Sequence, residues 1–201
     1  MYLMICNNKA LIIDPCVSND ALQLLKDKNI IDVIVLLTHE HYDHISGVNW
    51  LRDNFDCKVI AIDQCAQNLP DPKRNASAYF DTLLLFHSPE TKVSGGDIEP
   101  YSCKADETFT DYHCFNWENH KVEIIHSPGH SEGSVCILID DMFVFTGDSL
   151  IKGNATITRL PGGSKRKYYE ITLPFLNSLP KDSIIYPGHG ESGSIIEFTI
   201  G

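Results

Sequence analysis

Seven residues, Thr38-His39-Glu40-His41-Tyr42-Asp43-His44, place three imidazoles and the Asp43 carboxylate within six positions. Imidazole and carboxylate suit zinc, iron or manganese, and a hydrolytic centre needs ligands that leave a coordination position for water. No thiolate lies in the cluster, which points away from a structural zinc site. The cluster follows Ile30 to Leu37, an apolar run that reads as a buried strand. A helix starting at Asp43, with that residue as N-cap, would carry Asp43 and His44 on its first turn. Adjacent helical residues diverge by about 100°, so these two need not serve the metal served by His39 and His41. Two neighbouring metals are the expectation. Glu40 and Tyr42 sit between ligands, where an outer hydrogen-bonding role and plain exposure fit equally.

Three later stretches share one grammar: a strand ends, glycine lets the backbone turn closely, and a ligand-type residue follows. They are Ser127 to Ser134 with His130, Thr146-Gly147-Asp148, and Pro187-Gly188-His189-Gly190. With the first stretch they supply seven ligand-type residues at strand ends: His39, His41, Asp43, His44, His130, Asp148 and His189. His87, His113, His120 and His126 lack such corners and are set aside.

The elements that must position these residues alternate β and α at first. Tyr2 to Ile5 and Ala10 to Asp14 read as a hairpin, Ser18 or Asn19 caps a helix ending near Asn29, and the Ile30 to Leu37 strand follows. A helical face continues from Ile45 to about Phe55, and Lys58 to Ala61 is the next strand, so parallel pairing is expected. Residues 64–119 read as an irregular covering segment, with one helical piece around Asn75 to Phe86. Lys121 to His126, Ser134 to Ile139 and Met142 to Thr146 read as strands, with Asp140-Asp141 as a turn. Ser164 caps a helix reaching Leu179 that Pro174 should kink or split, and Asp182 to Tyr186 is a final strand. The expectation is one α/β domain over residues 1–201, built of two sheets packed face to face with helices outside.

Composition narrows the partners. Hydrophobic residues are 43% and charged residues 21%, as in an ordinary globular protein. A net charge of −11 disfavours a nucleic-acid or anionic-membrane surface, and no apolar run approaches membrane-spanning length, so a small molecule is the expected partner. Oligomeric state is not legible. The N-terminus makes a poor signal peptide, and seven dispersed cysteines suit reduced thiols in a cytoplasm.

The motifs together resemble the metallo-β-lactamase superfamily, and within it the glyoxalase II branch. Residues 38 to 44 match T-H-x-H-x-D-H, Ser127 to Ser134 match (T/S)-P-G-H-(T/S)-x-G-S, Gly147-Asp148 match the bridging aspartate and Gly188-His189-Gly190 the last histidine. The resemblance implies a four-layer αββα sandwich of two mixed sheets with the site at one edge. It implies two divalent metal ions, zinc first and iron or manganese as alternatives. His39, His41 and His130 would hold one, Asp43, His44 and His189 the other, and Asp148 would bridge them. The implied activity is hydrolysis of a small thioester or ester by a metal-bridging hydroxide, with Asp43 and Asp148 as catalytic residues. Long glyoxalase II enzymes carry a C-terminal helical region that helps bind glutathione. Twelve residues follow His189 here, so a short glyoxalase II-like hydrolase is the nearer match. Arg159, Lys165, Arg166 and Tyr42 are candidate substrate contacts. A persulfide dioxygenase-like oxidoreductase, with one iron on His39 or His41, His130 and Asp148, is the alternative of another class; a lactonase is a closer one.

Overall fold

The computed structural model describes residues 1–82 and 98–198. Its first sheet has five strands in chain order: β1 (Tyr2–Cys6), β2 (Lys9–Ile13), β3 (Asp32–Leu36), β4 (Cys57–Ile62) and β5 (Glu107–Phe109). The β1–β2 pair is antiparallel and the rest are parallel. The second sheet runs β11 (Gly193–Ser194), β10 (Ile184–Pro187), β9 (Phe143–Gly147), β8 (Val135–Ile139), β7 (His120–His126), β6 (Tyr112–Trp117). Its β9–β10 pair is parallel and its other pairs antiparallel.

The period of two along β8 shows how the layers stack. All five of its residues are buried, but on two faces. Val135, Ile137 and Ile139 join the core shared with Val33, Val35 and Val59 of the first sheet. Cys136 and Leu138 face the other way, onto Leu176 of a covering helix. The first sheet is covered on its own outer side by α1 (Asn19–Asp27), capped by the Ser18 hydroxyl accepting from the Ala21 N–H, and by α3 (Val48–Asn54), whose Leu25 and Leu51 are buried in the same core. This is the expected αββα sandwich.

Several local expectations change. The helix after His41 is a single turn, α2 (Tyr42–Ile45), with His41 at the N-cap position. Asp43 therefore lies inside the turn, its carboxylate on His189 rather than on backbone N–H groups. Residues 64–119 include regular elements, α4 (Asp63–Asn68), β5 and β6, which their weak periodicity hid. The described part of the helix read around Asn75 to Phe86 contains a 3-10 turn at Ser77–Tyr79; residues from 83 lie outside the described ones, as does His87. The helix expected to kink or split at Pro174 instead changes its hydrogen bonding. An α turn (Lys165–Lys167) widens to a π turn (Tyr168–Thr172) before α-helix resumes (Leu173–Ser178), with Pro174 in its first turn.

α3 is tied to the sheet by a half-exposed ion pair between Arg52 and Asp106. Asp106 accepts from Arg52 Nη2 at 2.7 Å and from the Val59 N–H at 2.8 Å. Burial alone would raise the Asp106 pKa, but these donors outweigh it and hold it below the ordinary value. A carboxylate with a depressed folded pKa stabilises the fold above its unfolded pKa and loses that contribution as pH falls. Asp106→Asn should cost about 1 kcal/mol at pH 7, and the difference in denaturant midpoint should close as pH falls below about 4.

Candidate metal centre

The carboxylate of Asp14, at the end of β2, is the first group the centre requires. Its backbone is left-handed at φ 50°, which aspartate tolerates. Buried, it accepts from the Thr38 N–H at 2.7 Å, from the Thr38 hydroxyl at 2.5 Å and from His44 Nδ1 at 2.7 Å. The Thr38 hydroxyl spends its proton on Asp14, so it accepts from His39 Nδ1–H at 3.1 Å. One carboxylate thus fixes the tautomer of two histidines, and both turn Nε2 to the same space.

His130 obeys the same rule through another acceptor. Its Nδ1–H donates to the Ile157 carbonyl at 2.8 Å, leaving Nε2 3.0 Å from His41 Nδ1. Ligand atoms of His39, His41 and His130 lie within 4.8 Å of one another, as do those of His39, His44 and Asp148 and those of Asp43, His44 and His189. His44 Nε2 is 3.4 Å from Asp148 Oδ1, and the Nε2 atoms of His130 and His189 are each 3.6 Å from Asp148 Oδ2. All seven residues singled out in the sequence therefore meet. Gly188 makes room for this: a Cβ there would overlap Asp148 Oδ1 and His44.

The donor set fits divalent cations. Nε2 of His39 and of His44 and Oδ1 of Asp148 are buried without a hydrogen-bond partner, a costly state that a bound cation relieves. Burial and neighbouring imidazoles push His39 and His130 down, His130 to about 4, so both offer neutral lone pairs. Burial opposes charge on His44, but Asp14 and Asp43 outweigh it and hold its pKa well above the usual histidine range. Burial likewise opposes charge on Asp148, and His44, His130 and His189 overcome it, holding that carboxyl far below its ordinary value. A half of neutral nitrogens and a half of mixed charge meet at Asp148.

A cavity of about 720 Å³ opens on the cluster. His41, Asp43, His130, Asp148 and His189 line it together with apolar Ala76, Phe80, Ile151, Ile157 and Leu160. Among the described residues, Arg159 is the one arginine or lysine that lines it. Of the other candidate contacts, Lys165 lines an adjoining cavity, Arg166 pairs with Glu170 at 3.2 Å, and the Tyr42 ring packs on Phe80 and Tyr101. Glu40 is fully buried, accepting from Asn68 Nδ2 at 2.9 Å and from the Ser131 hydroxyl at 2.8 Å, which braces the His130 loop against α4. Asp14 escaped the motif reading. Its signal was an acidic residue ending an apolar run before Pro15, the same strand-end grammar without a glycine.

Two packed mixed sheets with histidines and aspartates gathered at their strand ends define a metal-binding αββα protein. The chain belongs to the metallo-β-lactamase superfamily, whose family model matches residues 1–189. It is 27% identical over 197 residues to the probable metallo-hydrolase YqgX of Bacillus subtilis (strain 168), covering 97% of this chain and 86% of that one. It is 29% identical over 199 residues to the hydroxyacylglutathione hydrolase of Buchnera aphidicola subsp. Baizongia pistaciae (strain Bp), covering 98% of this chain and 65% of that protein. The crystal structure of the BLEG-1 B3 metallo-beta-lactamase superposes with a TM-score of 0.76 at 27% identity, covering 97% of this chain and 88% of that one. No helix among the described residues is long and apolar enough to cross a membrane.

Asp14→Asn keeps the volume but cannot accept from all three donors. It should weaken metal binding about 10- to 100-fold, measured by competition against a chromogenic chelator; unchanged affinity would deny Asp14 its orienting role.

Proposed function

We propose that the chain is a dinuclear metallohydrolase acting on a small thioester or ester. The observation that carries this reading is Asp148, ringed by His44, His130 and His189 and lying between two histidine groups. His39, His41 and His130 would hold one ion, Asp43, His44 and His189 the other, with Asp148 shared; nitrogen and oxygen donors favour zinc and accept iron or manganese. Bound there, such ions supply a Lewis acid for the acyl carbonyl and lower the pKa of water from 15.7 to about 7.

The chain's own residues do the rest. Asp43, 3.0 Å from His189 Nε2 and lining the cavity, takes a proton from the attacking water and returns one to the leaving group. The water oxygen bonds to the acyl carbon, the carbon–sulfur or carbon–oxygen ester bond breaks, and a carboxylic acid and a thiol or alcohol result. Ala76, Phe80, Ile151, Ile157 and Leu160 seat the acyl chain and exclude bulk water. Arg159 attracts an anionic substrate: the chain's other arginines have carboxylate partners, whereas Arg159 has none among the described residues. Similarity to a hydroxyacylglutathione hydrolase supports the thioester class.

The reading with a single iron and persulfide oxidation draws on His39 or His41, with His130 and Asp148, and leaves Asp43, His44 and His189 without a task. Metal analysis and a panel of small thioesters and lactones separate the two. Metal-loaded protein should hydrolyse a thioester, and Asp148→Asn or His44→Ala should each lower kcat about 100-fold or more. Hydrolysis undiminished in both variants, or oxygen uptake with glutathione persulfide and no thioester turnover, would sink the proposal.

A further inference from the structure

His189 is the least anchored of the histidines at the centre. His39, His41, His44 and His130 are buried, whereas the His189 side chain is 53% exposed. His39, His44 and His130 each have an acceptor on Nδ1, which fixes the ring. His189 has none there among the described residues; its Nε2 alone has partners, Asp43 at 3.0 Å and Asp148 at 3.6 Å. The direction of its ring therefore depends on where the backbone puts it. Glycine on both sides loosens that backbone: Gly188 precedes His189, and Gly190, at φ +84°, follows it.

Regular strand pairing does not supply the missing hold. The β9–β10 register shifts between Tyr186 and Pro187, and proline has no N–H to give to a ladder. Two other bonds fix the approach to His189. The Gly188 N–H donates to the Gly147 carbonyl at 2.8 Å, and the Pro187 carbonyl accepts from the Tyr2 hydroxyl at 2.6 Å. The second bond comes from the other sheet, 185 positions away in the chain.

Tyr2 is itself held from three directions. It lies on β1, where it pairs with Ile13, the residue before Asp14. Its ring meets Phe145 of β9 edge-on at 5.1 Å and Tyr186 of β10 edge-on at 5.4 Å, centroid to centroid, and those two rings stack on each other at 4.8 Å. Burial, with Asp14 and Tyr186 nearby, raises the pKa of its hydroxyl, which keeps its proton and donates it. Tyr2 thus spans the sandwich at one half of the centre. On the first sheet it lies next to the strand end that holds His44 through Asp14, and on the second it grips the carbonyl that leads into His189.

We infer that Tyr2 is a positioning residue for the second metal ion, holding the Pro187-Gly188-His189 backbone so that His189 converges with His44 and Asp43. The inference rests on the dinuclear reading. It gives the N-terminal strand a part in ligand geometry as well as in packing.

Tyr2→Phe tests it, because it removes the hydroxyl and keeps the ring. In zinc titrations against a chromogenic chelator, the step that His189→Ala abolishes identifies the second ion. Tyr2→Phe should weaken that step about fivefold, as expected for one hydrogen bond, and leave the other step unmoved. Tyr186→Phe removes a hydroxyl from the same ring cluster that makes no hydrogen bond among the described residues, and should move neither step. Equal weakening of both steps in Tyr2→Phe, an unmoved second step, or the same loss in Tyr186→Phe would overturn the assignment. Hydrogen exchange in the metal-free protein reads the strap directly. The Gly188 amide should exchange about fivefold faster in Tyr2→Phe, while the Ile184 amide, bonded to the Met142 carbonyl at the other end of β10, should exchange as in wild type. A wild-type protein that binds a single ion would count against the dinuclear reading alone, because the exchange comparison still decides the part played by Tyr2: equal Gly188 exchange in the two proteins would remove it.

Discussion

The Asp14 carboxylate, buried and accepting three hydrogen bonds from Thr38 and His44, is the interaction on which the centre depends. A buried carboxylate is costly unless its lone pairs are filled. Here the groups that fill them are the two positions that must be oriented. Thr38 ends the run of β3 and hands its hydroxyl lone pair to His39, while His44 sits on α2. The end of one strand thus sets the direction of imidazoles after the next strand and on a helix.

The remaining candidate ligands arrive from the second sheet, and their placement follows from how β7, β9 and β10 end. The Ser127 N–H donates to the Ser134 carbonyl, and the Val135 N–H to the Thr38 carbonyl, which joins the His130 loop to the first motif across the two sheets. The Gly188 N–H donates to the Gly147 carbonyl, which sets His189 beside Asp148. Glu40 closes the assembly from behind by taking Ser131 and Asn68. Because the two sheets share one core, displacing either sheet would open the centre at Asp148.

Much of this was legible in the sequence because it is local. The strand–glycine–ligand corners name His130, Asp148 and His189, and the apolar run before Thr38 marks its strand. The parallel pairing in the first half and the Asp140-Asp141 turn, whose φ angles are 54° and 57°, follow from periodicity and turn chemistry. What stayed hidden depends on partners distant in sequence. β5 is three residues long and owes its place to β4, and β11 has only two residues paired to β10. Asp14 gains its meaning from Thr38 and His44, 24 and 30 positions away. Asp43 read as an N-cap, yet His189 from the other sheet captures its carboxylate. Arg159 and Lys165 stood together in one basic stretch of sequence, and only the fold assigns them to two different cavities.

The central claim is that two histidine groups, joined at Asp148, hold two metal ions. Anomalous diffraction from crystals of zinc-loaded protein tests it most directly. The account predicts two peaks per chain, one among His39, His41 and His130, the other among Asp43, His44 and His189, with Asp148 between them. A single peak held by His39 or His41, His130 and Asp148, with His44 still bonded to Asp14 and Asp43 to His189, would contradict it.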